Sequence, residues 1–299
     1  MQSHDPHEPI SDVPDYAAAL SVVETVSAKP AHEVVLTETE AKRTDFAAIY
    51  EDIKAKLDAA ESGKTADAID AVRKQYEADN ASLIGKHFAR VLLDAPTWDK
   101  KNIELQVMKN SRESAARAQG VENLPKSASE TALKLEVIQY NHDLRELFEA
   151  KHEGFTTAEL TKWYGAFLGE KMQTAAREVS GVVAEIALRK VLSGADFLQA
   201  IEYGSVEEDA KGRDIIGLIK NGEELISLTA DSKAGGQDTE IKVDRKMGIK
   251  IIMGVDLGRL DAYGDIDDAY AAELVFKAGL ALQKAVVERA SKMTERKAQ

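Results

Sequence analysis

The sequence contains no cysteine, which excludes a disulfide scaffold and a cysteine-based zinc site. Its six histidines are scattered, and no HExxH pair occurs, so the ligand pattern of a zinc enzyme is lacking. The GxxxxGK[ST] and GxGxxG patterns are also missing, which disfavours phosphate-loop and dinucleotide enzymes. Aromatic residues make up only 6% of the chain, whereas alanine and charged residues are plentiful, and this composition favours helix.

Long hydrophobic runs are missing as well. No stretch approaches the roughly 18–20 apolar residues that a membrane span requires. The first basic residue is Lys29, so the N-terminus lacks the positive start of a secretory signal. We therefore expect a soluble, cytoplasmic protein with no membrane partner.

The net charge of −13 argues at first against nucleic acid as a partner. The charge is unevenly distributed, however, because residues 1–40 contain eight acidic residues and a single lysine. More than half of the imbalance lies in this segment, so a local basic surface further along the chain stays open.

Three regions follow from the pattern along the chain. Residues 1–40 carry four of the six prolines and little helical periodicity, which predicts a mostly disordered acidic tail. Residues 41–154 repeat apolar positions at spacings of three and four, which predicts a helical bundle or coiled-coil region. Residues 155–299 combine helices with strand-like runs, which predicts a compact α/β domain.

Several helix boundaries are predicted from capping and breaking residues. Ala95–Pro96 predicts the end of a long helix, and Gly181 the meeting point of two helices. Ser127 and Glu130 form a plausible capping box. A C-terminal helix is predicted over residues 265–298, with Asp265 or Asp267 as its N-cap.

The runs RDIIGLIK and EELISLTADSK flank a turn signal and predict an antiparallel hairpin. The first run opens near Asp214, and the second ends in Asp231 and Lys233. Residues i and i+2 of a strand share a face, so Asp231 and Lys233 point the same way, and the hairpin brings Asp214 close to Asp231. Two carboxylates at one place repel unless a proton or a cation lies between them, and Mg²⁺ prefers such oxygen ligands.

One further acid fits this cluster. Glu185 lies within the apolar stripe of GVVAEIALRKVL, a helix that directly precedes the strands and should pack on them. The alternative is an ordinary solvated pair between Glu185 and Arg189, which are four residues apart on the same helix.

A helix with Glu185, then GRDIIGLI with Asp214, then ISLTADSK with Asp231 and Lys233, resembles the PD-(D/E)XK nuclease superfamily over about residues 175–260. The preceding EEDAKGRD resembles the EEDxxGxD lead-in of many bacterial members. The resemblance implies an α+β or α/β chain. In it, the N-terminal helical region precedes a small, helix-flanked mixed sheet of the restriction-endonuclease-like type, and residues 155–299 form the nuclease-like domain.

The resemblance also implies a chemistry. Asp214 and Asp231 would hold Mg²⁺ or Mn²⁺, with Glu185 completing the shell, and Lys233 would orient the attacking water or stabilise the phosphorane charge. Basic residues around the strands would contact the phosphates of DNA or RNA, namely Lys211, Arg213, Lys242, Arg245, Lys246 and Lys250.

Two departures from the family pattern are visible. The DxK element has Asp231 where glutamate is commoner, and GGQDTEIKVDRKM leaves little room for the helix that usually follows. An inactive relative therefore stays open beside the active nuclease. The alternative from a different class is a non-catalytic helical interaction or structural protein, with a homodimer or protein partner bound through the helical region.

The N-terminal segment gives the first testable prediction. Residues 1–40 have too little apolar surface to offset the loss of chain entropy on folding, so their amides should exchange with solvent at nearly unprotected rates. Hydrogen exchange followed by mass spectrometry on the free protein measures this, with residues 83–118 as the internal reference. Strong protection across residues 1–40 would contradict the prediction.

Overall fold

The computed structural model of the chain describes residues 41, 43–60, 66–78, 82–222, 224–235, 240–244 and 248–297. These residues form eight helices and one mixed five-stranded sheet. The helices are α1 (Phe46–Ala59), α2 (Ala66–Ala78), α3 (Leu83–Ala118), α4 (Ala128–Ala150), α5 (Thr157–Phe167), α6 (Met172–Ser193), α7 (Val206–Asp209) and α8 (Asp268–Lys297). The strands are β1 (Leu198–Tyr203), β2 (Ile215–Asn221), β3 (Glu224–Ala234), β4 (Glu240–Asp244) and β5 (Gly248–Val255). The N-terminal segment 1–40 lies outside the described residues, and no described helix is long and apolar enough to cross a membrane.

The helical half of the structure, which comprises α1 to α5 and the first part of α6, packs around a cluster of aromatic rings. Phe155 lies at its centre, with ring centroids 4.9 Å from Phe46, 5.8 Å from Phe88 and 5.9 Å from Trp163. Most of these rings meet edge to face, which is a favoured geometry for aromatic pairs. Although aromatic residues are few in the sequence, these four come together in one place and join α1, α3 and α5.

The predicted helix end at Ala95–Pro96 is wrong, because α3 continues through Pro96 to Ala118. A proline inside a helix removes one backbone hydrogen bond and costs about 3 kcal/mol. Here the helix is buried on both sides of the proline, through Leu92, Leu93 and Trp98. Tertiary packing therefore overrides the local signal.

The predicted helix break near Gly181 is also wrong, because Gly181 is an exposed residue inside α6. The break lies between α5 and α6, where Gly169 and Glu170 adopt positive φ angles of 70° and 65°. Glycine takes this left-handed conformation without steric cost, so Gly169 is the residue that ends α5.

The capping prediction for α4 is confirmed at the N-cap only. The Ser127 hydroxyl accepts a hydrogen bond from the Glu130 backbone amide at 3.0 Å. The Glu130 carboxylate does not return to Ser127 and instead accepts from Arg112 Nε of α3 at 3.1 Å. This ion pair is largely buried and ties the end of α3 to the start of α4.

The sheet has the order β1-β2-β3-β5-β4. The first three strands form an antiparallel meander, β3 pairs with β5 in parallel, and β4 pairs with β5 antiparallel. Strand β4 was not predicted; it lies in the short connection between the second predicted strand of the hairpin and GIKIIMGVDLG. The expectation of a helix-flanked mixed sheet after a helical region is confirmed.

One face of the sheet is covered by two helices. Alternate residues of β3 and β5, such as Leu228, Ala230 and Ile251, form one hydrophobic cluster with the apolar sides of α6 and α8. Helix α8 begins as expected, with the Asp267 carboxylate accepting from the Tyr270 amide at 2.7 Å. The intervening residues of the strands, including Asp231 and Lys250, point to the opposite face.

Helix α6 links the two halves of the structure. The cluster of the helical half includes Val183, whereas the cluster on the sheet begins at Ala184. Lys151 adds a polar connection, since its buried ammonium donates to the Tyr263 carbonyl at 2.9 Å. The division into regions 41–154 and 155–299 stays a prediction.

Truncating the central ring of the aromatic cluster tests the packing of the helical half. Phe155 is 1% exposed, so Phe155→Ala should lower the free energy of unfolding by about 3–5 kcal/mol through lost burial and the cavity left behind. Phe276, which is 66% exposed on α8, is the matched control, and Phe276→Ala should change stability by no more than about 0.5 kcal/mol. Urea unfolding measures both, and equal effects would refute the assignment of the core.

Candidate functional site

The register of the β2–β3 hairpin brings two aspartates together. Ile215 pairs with Ala230, and the pairing runs without interruption to Asn221 and Glu224. Asp214 directly precedes Ile215 and Asp231 directly follows Ala230, so the two aspartates lie side by side where β2 begins. Strand alternation places them on the face opposite α6 and α8.

The neighbouring acids affect the pKa of Asp214. Burial and the negative charges of Asp231, Asp209 and Glu185 together raise the pKa of the Asp214 carboxyl to about 8, against the opposing effect of the Lys250 ammonium. At neutral pH the Asp214 side chain therefore favours its protonated form. Several carboxylates thus lie close together in this site, and few positive charges balance them.

The cation nearest to the pair comes from β5. Lys250 Nζ lies 2.6 Å from Asp231 Oδ2 and donates to the backbone carbonyl of Gly212 at 2.6 Å. Gly212 has a φ angle of 77°, a left-handed conformation that suits glycine and turns its carbonyl toward this lysine. The other oxygen of Asp231, Oδ1, is buried and has no hydrogen-bond partner among the described residues.

Glu185 is held by an arginine from the helical half. Arg145 Nη1 of α4 donates to Glu185 Oε1 at 2.6 Å, and the Arg145 side chain is only 6% exposed. The alternative of a solvated pair with Arg189 is not what the structure shows. Burial raises the pKa of Glu185, and the Arg145 charge opposes that shift, which is the behaviour of a desolvated carboxylate with one compensating cation.

Helix α4 makes further contacts beside the acids. The Arg145 guanidinium stacks on the Tyr203 ring, with Cζ 3.9 Å from the centroid. His142 Nε2 lies 3.1 Å from Asp209 Oδ2, and the Lys134 ammonium donates to the Ala210 carbonyl. Arg145, His142 and Lys134 thus lie on one face of α4 and border the site on the side of α7.

The predicted basic residues have different surroundings. Lys233 is exposed and forms no ion pair with the described residues. Lys211 and Arg213 both bind Glu208, at 2.9 and 2.6 Å, and exposed Lys242 lies 3.5 Å from Glu240. Arg245 and Lys246 lie outside the described residues.

The donor atoms suit a divalent cation only in part. Carboxylate oxygens of Asp214 and Asp231, with the unpartnered Oδ1 of Asp231 among them, are the ligands that Mg²⁺ and Mn²⁺ prefer. In the described part of the chain, however, no three acidic or histidine side chains are grouped closely enough to hold a metal. The arrangement therefore fits a two-carboxylate site, with Glu185 ion-paired to Arg145 beside it.

The sequence missed the two cations that bind these acids. Arg145 lies 40 residues before Glu185, and no local spacing connects them. The resemblance assigns Lys250 to the phosphate-contacting residues, whereas the structure pairs it with Asp231. The strand alternation of GIKIIMGV was the available signal, because Lys250 is polar among buried residues of β5.

No family model, curated protein or solved structure matches this chain. Function is therefore argued from the geometry of the acids and their cations.

The raised pKa of Asp214 predicts how the stability depends on pH. Because the folded state binds this proton more tightly than the unfolded state, ionised Asp214 opposes folding. The cost grows as pH rises from about 4 and is complete above about 8. Asp214→Asn removes it, so the variant should exceed the wild type by at least about 2–4 °C in melting temperature at pH 8.5 and by little at pH 4.

Thermal unfolding across this pH range measures the difference between variant and wild type. Glu104→Gln, on the exposed side of α3, is the control and should give a small, pH-independent change. A difference for Asp214→Asn that does not grow with pH would contradict the interpretation.

Proposed function

We propose that the chain is a metal-dependent nuclease of the PD-(D/E)XK type, which hydrolyses phosphodiester bonds of DNA or RNA with Mg²⁺ or Mn²⁺. The observation that carries the proposal is the pair Asp214 and Asp231, which the β2–β3 register brings to adjacent strand positions on one face of the sheet. Burial and the neighbouring Asp231 charge raise the pKa of Asp214, so the ionised pair carries a free-energy cost that a bound cation removes.

The order of the elements supports the proposal. Helix α6 carries Glu185 and precedes the meander β1–β2–β3, in which Asp214, Asp231 and Lys233 follow in the sequence order of the motif. Assignment of the sheet to the restriction-endonuclease-like type is part of the same proposal. The family usually has a helix after the strand with the DxK element, and here the chain forms β4 instead.

Each residue has a role in this proposal. Asp214 and Asp231 would hold the ion, and Glu185 would contribute to the negative field around it. A bound divalent ion supplies Lewis acidity toward the scissile phosphate. Lys233, on the same strand face as Asp231 and exposed to the substrate side, orients the attacking water. The water oxygen bonds to phosphorus and gives up a proton, one P–O ester bond breaks, and the leaving oxygen takes up a proton.

One observation favours a second candidate, an inactive relative of such nucleases. Lys250 forms an ion pair with Asp231 and already neutralises one of the two charges that a metal ion would neutralise. In that case the fold is kept while the reaction is lost, and the function lies in the contacts of the helical half.

Cleavage of nucleic acid tests the proposal. Purified protein should cut single- or double-stranded DNA or RNA in Mg²⁺ or Mn²⁺, and EDTA should stop the reaction. Lys233→Ala should lower the rate by roughly 10²-fold or more through loss of transition-state stabilisation, with little change in stability because the side chain is exposed. Asp231→Asn should lower both the rate and the metal affinity measured by calorimetry.

The chain offers a matched control in Glu240. It opens the same acid-x-lysine tripeptide on β4, where its exposed side chain lies 3.5 Å from Lys242. Glu240→Gln should leave cleavage within about twofold of the wild-type rate. If the wild type neither binds a divalent metal near neutral pH nor cuts any nucleic acid offered, the enzyme is excluded.

A further inference from the structure

Lys250 contacts the candidate metal site with its ammonium group. On β5 it pairs in register with Thr229, two residues before Asp231 on β3, so Lys250 and Asp231 lie on the same face of adjacent parallel strands. Its ammonium binds Asp231 Oδ2 and the Gly212 carbonyl, both at 2.6 Å. The lysine side chain is 25% exposed and the aspartate 19%, so the pair is mostly withdrawn from water.

The contacts of this ammonium are those of a bound cation. A carboxylate oxygen and a backbone carbonyl oxygen are both ligands that hard divalent ions use. The ammonium satisfies only part of the site, because Oδ1 of Asp231 is buried and accepts no hydrogen bond from the described residues. One positive charge also faces the two aspartates, which together carry two negative charges when ionised.

Lysine is suited to leave such a position. Its charge lies at the end of a flexible four-carbon stem, so the ammonium can move by several ångströms through side-chain rotation alone. The Gly212 carbonyl and the Asp231 carboxylate belong to different segments, and both would stay in place when the lysine rotates away.

We propose that Lys250 is an internal competitor for the divalent cation at Asp214 and Asp231, so that the ion binds only when it displaces the lysine ammonium. The inference rests on the metal site of the proposed function but not on hydrolysis. It assigns to Lys250 a regulatory effect on metal affinity and explains why a lysine from β5, rather than Lys233, lies against the acid.

Replacing the lysine tests the competition. Lys250→Met keeps the aliphatic stem but removes the charge, and it should bind Mn²⁺ at least about tenfold more tightly than the wild type, because one unit charge beside the ion is lost. Titration calorimetry with MnCl₂ and with MgCl₂ near neutral pH measures the dissociation constants. Circular dichroism confirms that each variant is folded.

Lys242 is the matched control. It lies on β4 directly opposite Lys250 in the register and is exposed, so Lys242→Met makes the same change in net charge one strand away from the acids. The Mn²⁺ affinity of the Lys242→Met variant should stay within about twofold of the wild-type affinity, since an exposed charge is screened by solvent. Lys250→Gln, which keeps a hydrogen-bond donor and removes the charge, replaces Lys250→Met should the latter fail to fold.

The outcomes distinguish the competition by Lys250 from the proposed nuclease activity. Tighter metal binding by Lys250→Met than by Lys242→Met supports the competition, even if the wild type binds no metal and cuts nothing. Unchanged or weaker binding by the folded Lys250 variants overturns the competition, even if the wild type cleaves nucleic acid. Absence of metal binding in every variant overturns both the competition and the metal site.

Discussion

Two neighbouring aspartates, Asp214 just before β2 and Asp231 in β3, impose the charge balance on which the rest of the site depends. Ionised together on a partly buried face they repel, and the pKa of Asp214 rises to about 8 as a result of burial and neighbouring acids. Lys250 of β5 forms an ion pair with Asp231. The cation that meets Glu185 comes from α4, as Arg145. Each acid is thus tied to an element that is distant in sequence, and the site cannot form before those elements pack together.

This dependence gives the helical half a role beside packing. Arg145, His142 and Lys134 lie on one side of α4 and contact α6, α7 and the segment that leads into β2. Removing Arg145 would leave the Glu185 carboxylate largely buried without a cation, which is among the costlier changes in a protein interior. The helical region therefore forms one wall of the candidate site, whatever reaction the site performs.

Local patterns predicted most elements where packing agreed with them. The hairpin was predicted because its turn and its alternation are both local, and the N-caps Ser127 and Asp267 were recognisable because a cap acts within one helical turn. The predictions of helix breaks at Pro96 and Gly181 are wrong. Both lie in helices whose neighbouring turns are buried, and the free energy of that burial exceeds the local penalty. Strand β4 was missed because its five residues gain stability from pairing with β5 rather than from their own pattern.

The sequence by itself determined that Asp231 and Lys233 share a strand face and that Asp214 stands opposite Asp231, because strand alternation and a short turn leave little freedom in the register. It did not determine which cations bind the acids. By spacing alone, Glu185 has a partner in Arg189, and Lys233 is the cation that shares a strand face with Asp231. In the tertiary structure, Glu185 pairs with Arg145 and Asp231 pairs with Lys250. A buried ion pair requires two side chains that are desolvated by the same packing. That condition depends on which helix and which strand lie side by side, and only the complete fold specifies it.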